Sequence, residues 1–397
     1  MSAPSTYNIL MYSHDTYGLG HIRRSLAIAS QLVGEGVNIL ILTGSPIVGR
    51  FNVPEGIDFV RIPGMIKKSN TVYLPHSIKV NARHALHIRR NIITATARAF
   101  DPALFIVDKV PLGLKREVAP TLKWFRKTRP QTKVILGLRD ILDDAESTRQ
   151  EWEERGDLEA MDKLYSEIWV YGIQDLYDPI KEYGIPESIS KKMLFTGYIP
   201  RFSFKKAATC PPSNFSRNSD KPRVLVTIGG GGDGFPVLDT YLRMVEQNPG
   251  FPFRSSMVCG PFLQPQLRDE LALRAKAVGV HFTNFVKKME KQLLQADLVV
   301  GMGGYNTICE ILSQRKPCLI IPRDNPRREQ LIRAQIFKEH GLADYLPWGE
   351  LTPDNLRDKI ISLAADLTPY HEAMARFPMT GLEVMRQRLQ TFRGGEA

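Results

Sequence analysis

The stretch Ala296–Glu310, ADLVVGMGGYNTICE, decides how this chain is read. Asp297–Val300 is a continuous apolar run of the kind buried in parallel sheets. A glycine turn follows it, and a helix is predicted to start near Tyr305. Asn306 and Thr307 fall in the first helical turn, where backbone N–H groups lack intrahelical partners and suit capping or a phosphate. Glu310 lies about one turn further in, facing the same crevice, and its two carboxylate oxygens can accept from the vicinal hydroxyls of a ribose. The next strand, LIIP (319–322), ends at a proline and leads through RDNPRREQLIRAQ (323–335) into another helix. Glu329, Gln330 and Arg333 sit near the start of that helix as polar groups available to a sugar's hydroxyls.

Moving outward, the same grammar recurs. RVLVTI (223–228) is a strand, GGGGDG (229–234) a glycine loop, and a helix is predicted from about Phe235. Strands at Ser255–Val258, Val280–Phe282 and Cys318–Ile321 continue the alternation. At the other end of the chain, YNILM (7–11) precedes the loop SHDTYGLGHIRR (13–24). Helical spacing then appears in Ile22, Leu26, Ile28, Ala29 and Leu32, stops at Gly34 and Gly36, and gives way to the apolar strand VNILIL (37–42). Further strands are expected at Asp58–Ile62, Leu104–Val107, Lys133–Leu138, Ile168–Tyr171 and Met193–Phe195, with the longest helix from about Ser77 to Phe100. Residues 196–222, rich in Pro, Ser and Asn without an apolar period, interrupt the pattern. Strands alternating with helices on both sides of that break predict an α/β protein of two doubly wound domains. The first spans 1–198, a linker 199–222 and the second 223–379; a C-terminal helix of about 380–397 is expected to pack back on the first.

The glycine loops carry the chemistry. Gly229, Gly231 and Gly234 fit GxGxxG, yet the next strand ends in Met257, Val258, Cys259 and Gly260, without the acid that holds a dinucleotide's ribose. What survives is a backbone that a ligand can approach closely, ahead of a helix start that favours an anion such as a diphosphate. No GxxxxGK[ST] occurs. The first loop sets His14, Asp15 and His21 at the carboxyl end of the first strand, where open α/β sheets hold ligands. A histidine there reads as a general base of tunable pKa, or as a side chain that caps the following helix.

Composition bounds the rest. The 397 residues, 43% hydrophobic and 24% charged, suit two domains of a globular protein and exclude disordered, collagen-like and coiled-coil chains. No run approaches a spanning helix, and the N-terminus lacks a basic n-region before its short apolar run, which argues against a signal peptide. Cys210, Cys259, Cys309 and Cys318 form no CxxC pair, so reduced, buried thiols and a cytoplasmic protein are expected. The net charge of +11 is concentrated: Arg61–Arg139 holds 17 bases against 3 acids, whereas Asp140–Glu187 holds 15 acids against 4 bases. Such a block fits phosphates, nucleic acid, an anionic membrane or simply a solvated face.

Taken together, these motifs resemble those of GT-B glycosyltransferases. The chain is most similar to the family of the peptidoglycan lipid-intermediate N-acetylglucosaminyltransferase and its bacterial exopolysaccharide relatives. The likeness rests on GLGH (18–21), the glycine run at 229–232, Asn284–Val286 with Met289, ADLVV (296–300), GGYNTICE (303–310) and the segment Pro322–Gln335. It implies two Rossmann-like domains facing across a cleft. The C-terminal domain would bind a nucleotide-sugar, by this resemblance a UDP-sugar, as substrate and without a further cofactor. Backbone at Phe285 and Val286 would hold the base and Glu310 the ribose. Gly230 and Gly231, with Gly304, Asn306 and Thr307, would face the diphosphate; Glu329 and Gln330 would touch the sugar. His21, beside Gly18 and Gly20 and with Asp15 as a second candidate, would deprotonate the acceptor hydroxyl. Asp15-Thr16-Tyr17 replaces the fuller glycine run of the peptidoglycan enzyme, so a different acceptor is expected. Arg323, Arg327 and Arg328 make the segment after Pro322 more basic than a sugar pocket needs, as for an acidic sugar or extra diphosphate contacts, although solvated arginines read equally well.

No Asp-x-Asp occurs, so the carboxylate pair that holds a metal-bound diphosphate in the other large glycosyltransferase fold is missing. Metal-independent, inverting transfer to a saccharide or lipid-linked acceptor, as in polysaccharide biosynthesis, is the expectation. The alternatives are a nucleotide-sugar 2-epimerase, with Asp15 and Glu329 flanking the sugar, and a non-catalytic nucleotide-sugar-binding scaffold. A nucleic-acid partner is not expected, because Trp124 and Phe125 fall at a helical spacing that suits a core face. PLGLKRE (111–117) and KWFRKTR (123–129) combine bases with apolar residues, which suggests an anionic membrane surface and a peripheral enzyme at the inner face of the membrane.

Overall fold

A computed structural model describes residues 6–14, 20–67, 72–201, 221–230, 232–286 and 288–394. Asp15, Gly18, Gly231 and most of the expected linker lie outside the described residues. The chain divides into two compact units. One comprises 1–140, 145–199 and 380–397; the other comprises 141–144 and 200–379.

The first unit is built on a parallel sheet of β1 (Tyr7–Tyr12), β2 (Val37–Thr43), β3 (Ile57–Arg61), β6 (Leu104–Asp108), β7 (Lys133–Arg139), β8 (Glu167–Tyr171) and β9 (Met193–Phe195). A short antiparallel hairpin of β4 (Met65–Lys67) and β5 (Tyr73–Pro75) stands apart from it. The order β3-β2-β1-β6-β7-β8-β9 reverses direction between β1 and β6. Ile9–Tyr12 and all of β6 are buried, as covered parallel strands require. Helix α1 (Gly20–Leu32) buries Ile22, Leu26, Ile28, Ala29 and Leu32, the residues of its apolar period. Helix α2 (Ala82–Phe100) begins five residues later than its sequence suggests, because Asn81, extended at φ −70° and ψ 160°, caps it by accepting from the His84 N–H at 2.8 Å. Its buried stripe is Ala85, Arg89, Ile93 and Ala97. Helix α3 (Ala119–Thr128) follows β6 and buries Phe125.

The second unit is a parallel sheet of β10 (Arg223–Thr227), β11 (Arg254–Val258), β12 (His281–Thr283), β13 (Leu298–Gly301), β14 (Cys318–Ile320) and β15 (Asp344–Tyr345). Its order, β12-β11-β10-β13-β14-β15, reverses between β10 and β13. Val224, Val226, Met257, Leu298, Val300 and Leu319 pack with Val237, Leu238 and Tyr241 of α4 (Phe235–Gln247) as its core. Helices α5 (Tyr305–Ser313) and α6 (Glu329–Glu339) follow β13 and β14. Helix α7 (Gly381–Gly394) belongs to the first unit, where it packs on α1 and buries Met385 and Leu389.

In the basic block Lys115, Arg116, Lys123, Arg126 and Lys127 are exposed, but the apolar residues expected beside them are not. Leu112 and Leu114 are buried, Phe125 is in the core, and Trp124 lies between Arg98 and Arg129, 5.6 and 5.8 Å from its ring. Arg89 is buried against Glu117. The exposed apolar side chains of this region are instead Val72, Leu74 and Ile78, at 44%, 42% and 41% exposure, on and beside the β4–β5 hairpin. No helix among the described residues is long and apolar enough to cross a membrane.

Candidate functional site

In each sheet the strand order reverses where the glycine loops emerge, which is where doubly wound sheets bind ligands. In the first unit, His14 follows β1, Asp108 ends β6 and His21 rises from the first turn of α1, with Gly20 as the helix's first residue. His21 Nδ1 stands 2.5 Å from Asp108 Oδ2. Arg24, one turn along α1, donates to Asp108 Oδ1 from Nη2 at 2.7 Å and from Nε at 3.0 Å, and reaches Oδ2 at 2.9 Å. Arg24 is 1% exposed and its guanidinium lies 5.7 Å from the Tyr171 ring.

Electrostatics follow from this geometry. Burial raises the Asp108 pKa, but the cationic Arg24 and the hydrogen bonds from His21 and Arg24 outweigh it and hold the carboxyl far below its usual range. Burial pushes His21 down to about 4, with Arg24 and Lys109 pushing the same way and Asp108 opposing. Because the Asp108 charge is already answered by Arg24, it cannot hold a second proton on the imidazole, so His21 is neutral at pH 7. Arg24 Nη2 also lies 3.0 Å from His21 Nδ1, but the carboxylate oxygen at 2.5 Å can only accept, so Nδ1 carries the ring proton toward Asp108 and Nε2 keeps the lone pair that can accept a proton. Burial likewise keeps His14 neutral, its pKa well below 6.5, with His21 and Lys109 adding to the effect.

A second buried tier lies beneath. Arg89 donates to Glu117 from Nε at 2.7 Å and from Nη2 at 2.5 Å, and Tyr12 donates to the same carboxylate at 2.7 Å. The Leu114 N–H in turn donates to the Tyr12 hydroxyl at 3.1 Å. These bonds hold the turn after β6, where Lys109, Lys115 and Arg116 adopt φ of 70°, 47° and 63°. Left-handed backbone at non-glycine residues is strained, and such strain gathers at ligand sites.

In the second unit the loop after β10 meets the start of α5. Gly229 has φ +68°, and a Cβ there would stand 2.9 Å from Thr307 Oγ1, so glycine is needed twice over. Gly230 accepts from the Phe262 N–H at 3.1 Å. The first residue before α5, Gly304, makes no side-chain cap, so the helix start keeps N–H groups for an anion. Asn306 does not cap either: its Oδ1 accepts from Arg201 Nη2, and the Arg201 N–H donates to Ser313 Oγ at 2.8 Å. Glu310 lies on α5, half-buried. Phe285 is 43% exposed beyond β12, and Val286 is partly buried beside it.

Two of the three arginines after β14, Arg323 and Arg327, are ion-paired within the unit, whereas the Arg328 side chain is exposed. Arg323 bridges Asp233 at 2.9 Å and Glu329 at 2.8 Å, and its N–H donates to Gln330 Oε1 at 3.4 Å. Asp143 takes Arg327 at 3.5 Å and the Arg328 N–H at 2.7 Å. The charges of Arg323 and Arg327 are thus answered by Asp233, Glu329 and Asp143. Arg333 is fully buried, donating to the Gly303 carbonyl at 2.8 Å with its guanidinium 5.7 Å from the Tyr305 ring. It shapes the glycine turn and is not available to a sugar. Glu329 and Gln330 are also largely buried, at 5% and 6% exposure.

Sequence reading missed Asp108, Arg24, Arg201 and the Tyr12–Glu117–Arg89 tier. Asp108 had a signal: it is the acid that ends the apolar strand LFIVD next to the switch point.

Comparison with known proteins now bears on this geometry. Residues 226–387 match the glycosyltransferase family 28 C-terminal domain. An uncharacterized glycosyltransferase of Methanosarcina acetivorans is 24% identical over 357 residues, covering 83% of each chain. The UDP-N-acetylglucosamine–N-acetylmuramyl-(pentapeptide) pyrophosphoryl-undecaprenol N-acetylglucosamine transferase of Lachnospira eligens is 29% identical over 167 residues, 42% of this chain and 45% of its own length. The crystal structure of MurG from Acinetobacter baumannii superposes with a TM-score of 0.61 at 14% identity, covering 97% of this chain and 99% of that one. The last is a likeness of fold, and the fold is GT-B.

Proposed function

For a glycosyltransferase of GT-B fold, which these matches make the chain, we propose a UDP-sugar donor, a saccharide or lipid-linked acceptor and an inverting, metal-independent transfer. The observation that carries the donor reading is the meeting of Gly229–Gly230 with the uncapped start of α5 inside the matched domain. Backbone N–H groups and a helix N-terminus there suit a diphosphate. Phe285 and Val286 border the base, and Glu310 accepts from the ribose hydroxyls. Glu329, oriented by Arg323, and Gln330 border the transferred sugar.

The reaction is one displacement. The acceptor hydroxyl attacks the anomeric carbon on the face opposite the departing UDP, and its proton passes to His21 Nε2. Asp108 keeps the proton of His21 on Nδ1 and steadies the imidazolium that forms. Charge growing on the leaving diphosphate is met by the α5 N-terminus. Asp15 of the first loop is the second candidate for contact with the acceptor.

A peripheral membrane position is part of the same proposal. Val72, Leu74 and Ile78 are exposed within the basic block, as are Lys79, Arg83 and Arg90 of the same stretch, a combination that suits anionic headgroups.

Thermal-shift titration with UDP-, GDP- and dTDP-sugars tests the donor. A UDP-sugar is expected to raise the melting temperature, and Glu310→Ala to weaken that shift about tenfold or more in apparent affinity. No stabilisation by any of them sinks the donor assignment. UDP release that EDTA abolishes and magnesium restores removes the metal-independent mechanism. Turnover of UDP-N-acetylglucosamine to an epimer without acceptor would replace the transferase reading by a 2-epimerase.

A further inference from the structure

The mechanism above uses one of two imidazoles. His14 and His21 lie edge to face with ring centroids 5.7 Å apart, both beside the switch point of the first sheet. The hydrogen-bond partners of His14 fix which of its nitrogens is free. Tyr12 has one hydroxyl proton, and it goes to Glu117 Oε1 at 2.7 Å, since a carboxylate ion-paired with Arg89 can only accept. Toward His14 the Tyr12 oxygen can then only accept, and it stands 3.5 Å from Nδ1. The proton of neutral His14 is therefore on Nδ1, and Nε2 carries a lone pair. The same argument gave His21, through Asp108, a lone pair on Nε2. Neither Nε2 has a hydrogen-bond partner among the described residues.

Two neutral imidazoles fixed in the same tautomer make two acceptors side by side. A single attacking hydroxyl needs one of them. We propose that His14 is a second acceptor-binding residue, whose Nε2 receives a hydrogen bond from the hydroxyl neighbouring the one His21 deprotonates. The acceptor is then a sugar ring offering two adjacent hydroxyls, not a lone alcohol or phenol. This narrows the acceptor class of the proposed transfer and rests on the reading of His21 as its base. The network behind His14 fits such a duty: Arg89 and Glu117 are 1% and 0% exposed, so the Tyr12 hydroxyl that sets the tautomer is itself held on both sides.

The test has a spectroscopic arm and a kinetic arm. In protein labelled with ¹⁵N at histidine, long-range proton–nitrogen spectra at pH 7 should show His14 and His21 neutral with the proton on Nδ1. Tyr12→Phe should shift the His14 pattern alone. A proton on His14 Nε2, or a charged His14, overturns the proposal, and this arm needs neither donor nor acceptor. The kinetic arm follows UDP release from UDP-N-acetylglucosamine with methyl glycosides of glucose, galactose and N-acetylglucosamine as acceptor probes, against benzyl alcohol as the lone hydroxyl. His14→Phe should lower kcat/KM for a glycoside at least tenfold, with His14→Gln, whose amide oxygen accepts, recovering much of it. Equal rates for wild type, His14→Phe and His14→Gln, or preference for benzyl alcohol, also overturn the proposal. If no glycoside serves, the nitrogen spectra decide alone. Failure to release UDP with any acceptor, alongside the expected spectra, counts against the transferase details and not against the tautomers.

Discussion

Asp108→Asn is the sharpest perturbation of the first site. In the native protein this carboxylate takes two nitrogens of Arg24 at 2.7 and 3.0 Å and faces His21 Nδ1 at 2.5 Å, while Arg24 is 1% exposed. The amide is nearly isosteric, so packing survives and the effect is one of charge. Arg24 is left as a buried cation without its counter-charge, a loss that costs about 3–5 kcal/mol when one partner of a buried pair is removed. For a domain of this size each kcal/mol lowers the melting temperature by about 2–4 °C, so a fall of roughly 6–20 °C is expected. The asparagine NH₂ can also donate to His21 Nδ1, which drives the ring proton to Nε2 and removes the base; a loss of about 10³–10⁴-fold in turnover follows. The double variant Arg24→Met/Asp108→Leu separates the two effects. It removes both charges and should return to within about 2 kcal/mol of wild type, with turnover still lost. Differential scanning fluorimetry and coupled detection of UDP give the two readouts. An Asp108→Asn protein that melts within about 2 °C of wild type would refute the buried-pair argument. Recovery of turnover in the double variant would refute the orienting role of Asp108.

Other expectations are simpler. His21 titrates near 4 in the folded protein and near 6.5 unfolded, so the unfolded chain binds more protons between these values and stability falls as pH drops through that window. Urea midpoints at pH 7 and pH 5 should show this, with a smaller difference in His21→Gln; the acid limb of turnover should lie near pH 4 to 5 and not at 6.5. Gly229→Ala puts a β-carbon at φ +68° and 2.9 Å from Thr307 Oγ1, which should lower stability by about 1–2 kcal/mol and weaken UDP binding disproportionately. Equal UDP affinity in this variant would remove the loop from the donor site. Val72→Ser/Leu74→Ser, at positions 44% and 42% exposed, should cut sedimentation with anionic vesicles about tenfold while leaving the melting temperature unchanged. Vesicle binding indifferent to these changes and to salt would refute the membrane reading.

The alternation of strands and glycine-led helices was legible because parallel strands are buried on both faces and read as unbroken apolar runs. VNILIL and ADLVV are such runs, and both became strands. The start of α2 was less legible, since His76–Val80 carries no helix breaker and the decision falls to one asparagine cap. The β4–β5 hairpin was not anticipated at all, its strands being three residues each. Roles of polar residues were hardest, because a side chain's partner lies far away in sequence. Arg333 reads as a ligand contact, and Arg323 as either a ligand contact or a solvated side chain, whereas Asp233, Glu329 and the Gly303 carbonyl hold them. Yet one regularity was available. Within Arg61–Arg139 there are three acids, and two of them, Asp108 and Glu117, are the buried partners of Arg24 and Arg89. An arginine in the apolar stripe of α2 and an acid closing an apolar strand are each signs of a pair that only folding brings together.

The helix α7 has a consequence for synthesis on the ribosome. The seven-stranded sheet of the first unit is finished at Phe195, but the side of α1 that α7 packs against stays uncovered until some 180 further residues have been made. During that interval the second unit can form its own sheet, while the first waits with an apolar stripe in water. Elongation that stalls anywhere between these points leaves a nascent chain with one complete unit and one sticky one. The first unit thus receives its last packed helix only after the whole of the second unit has been synthesised.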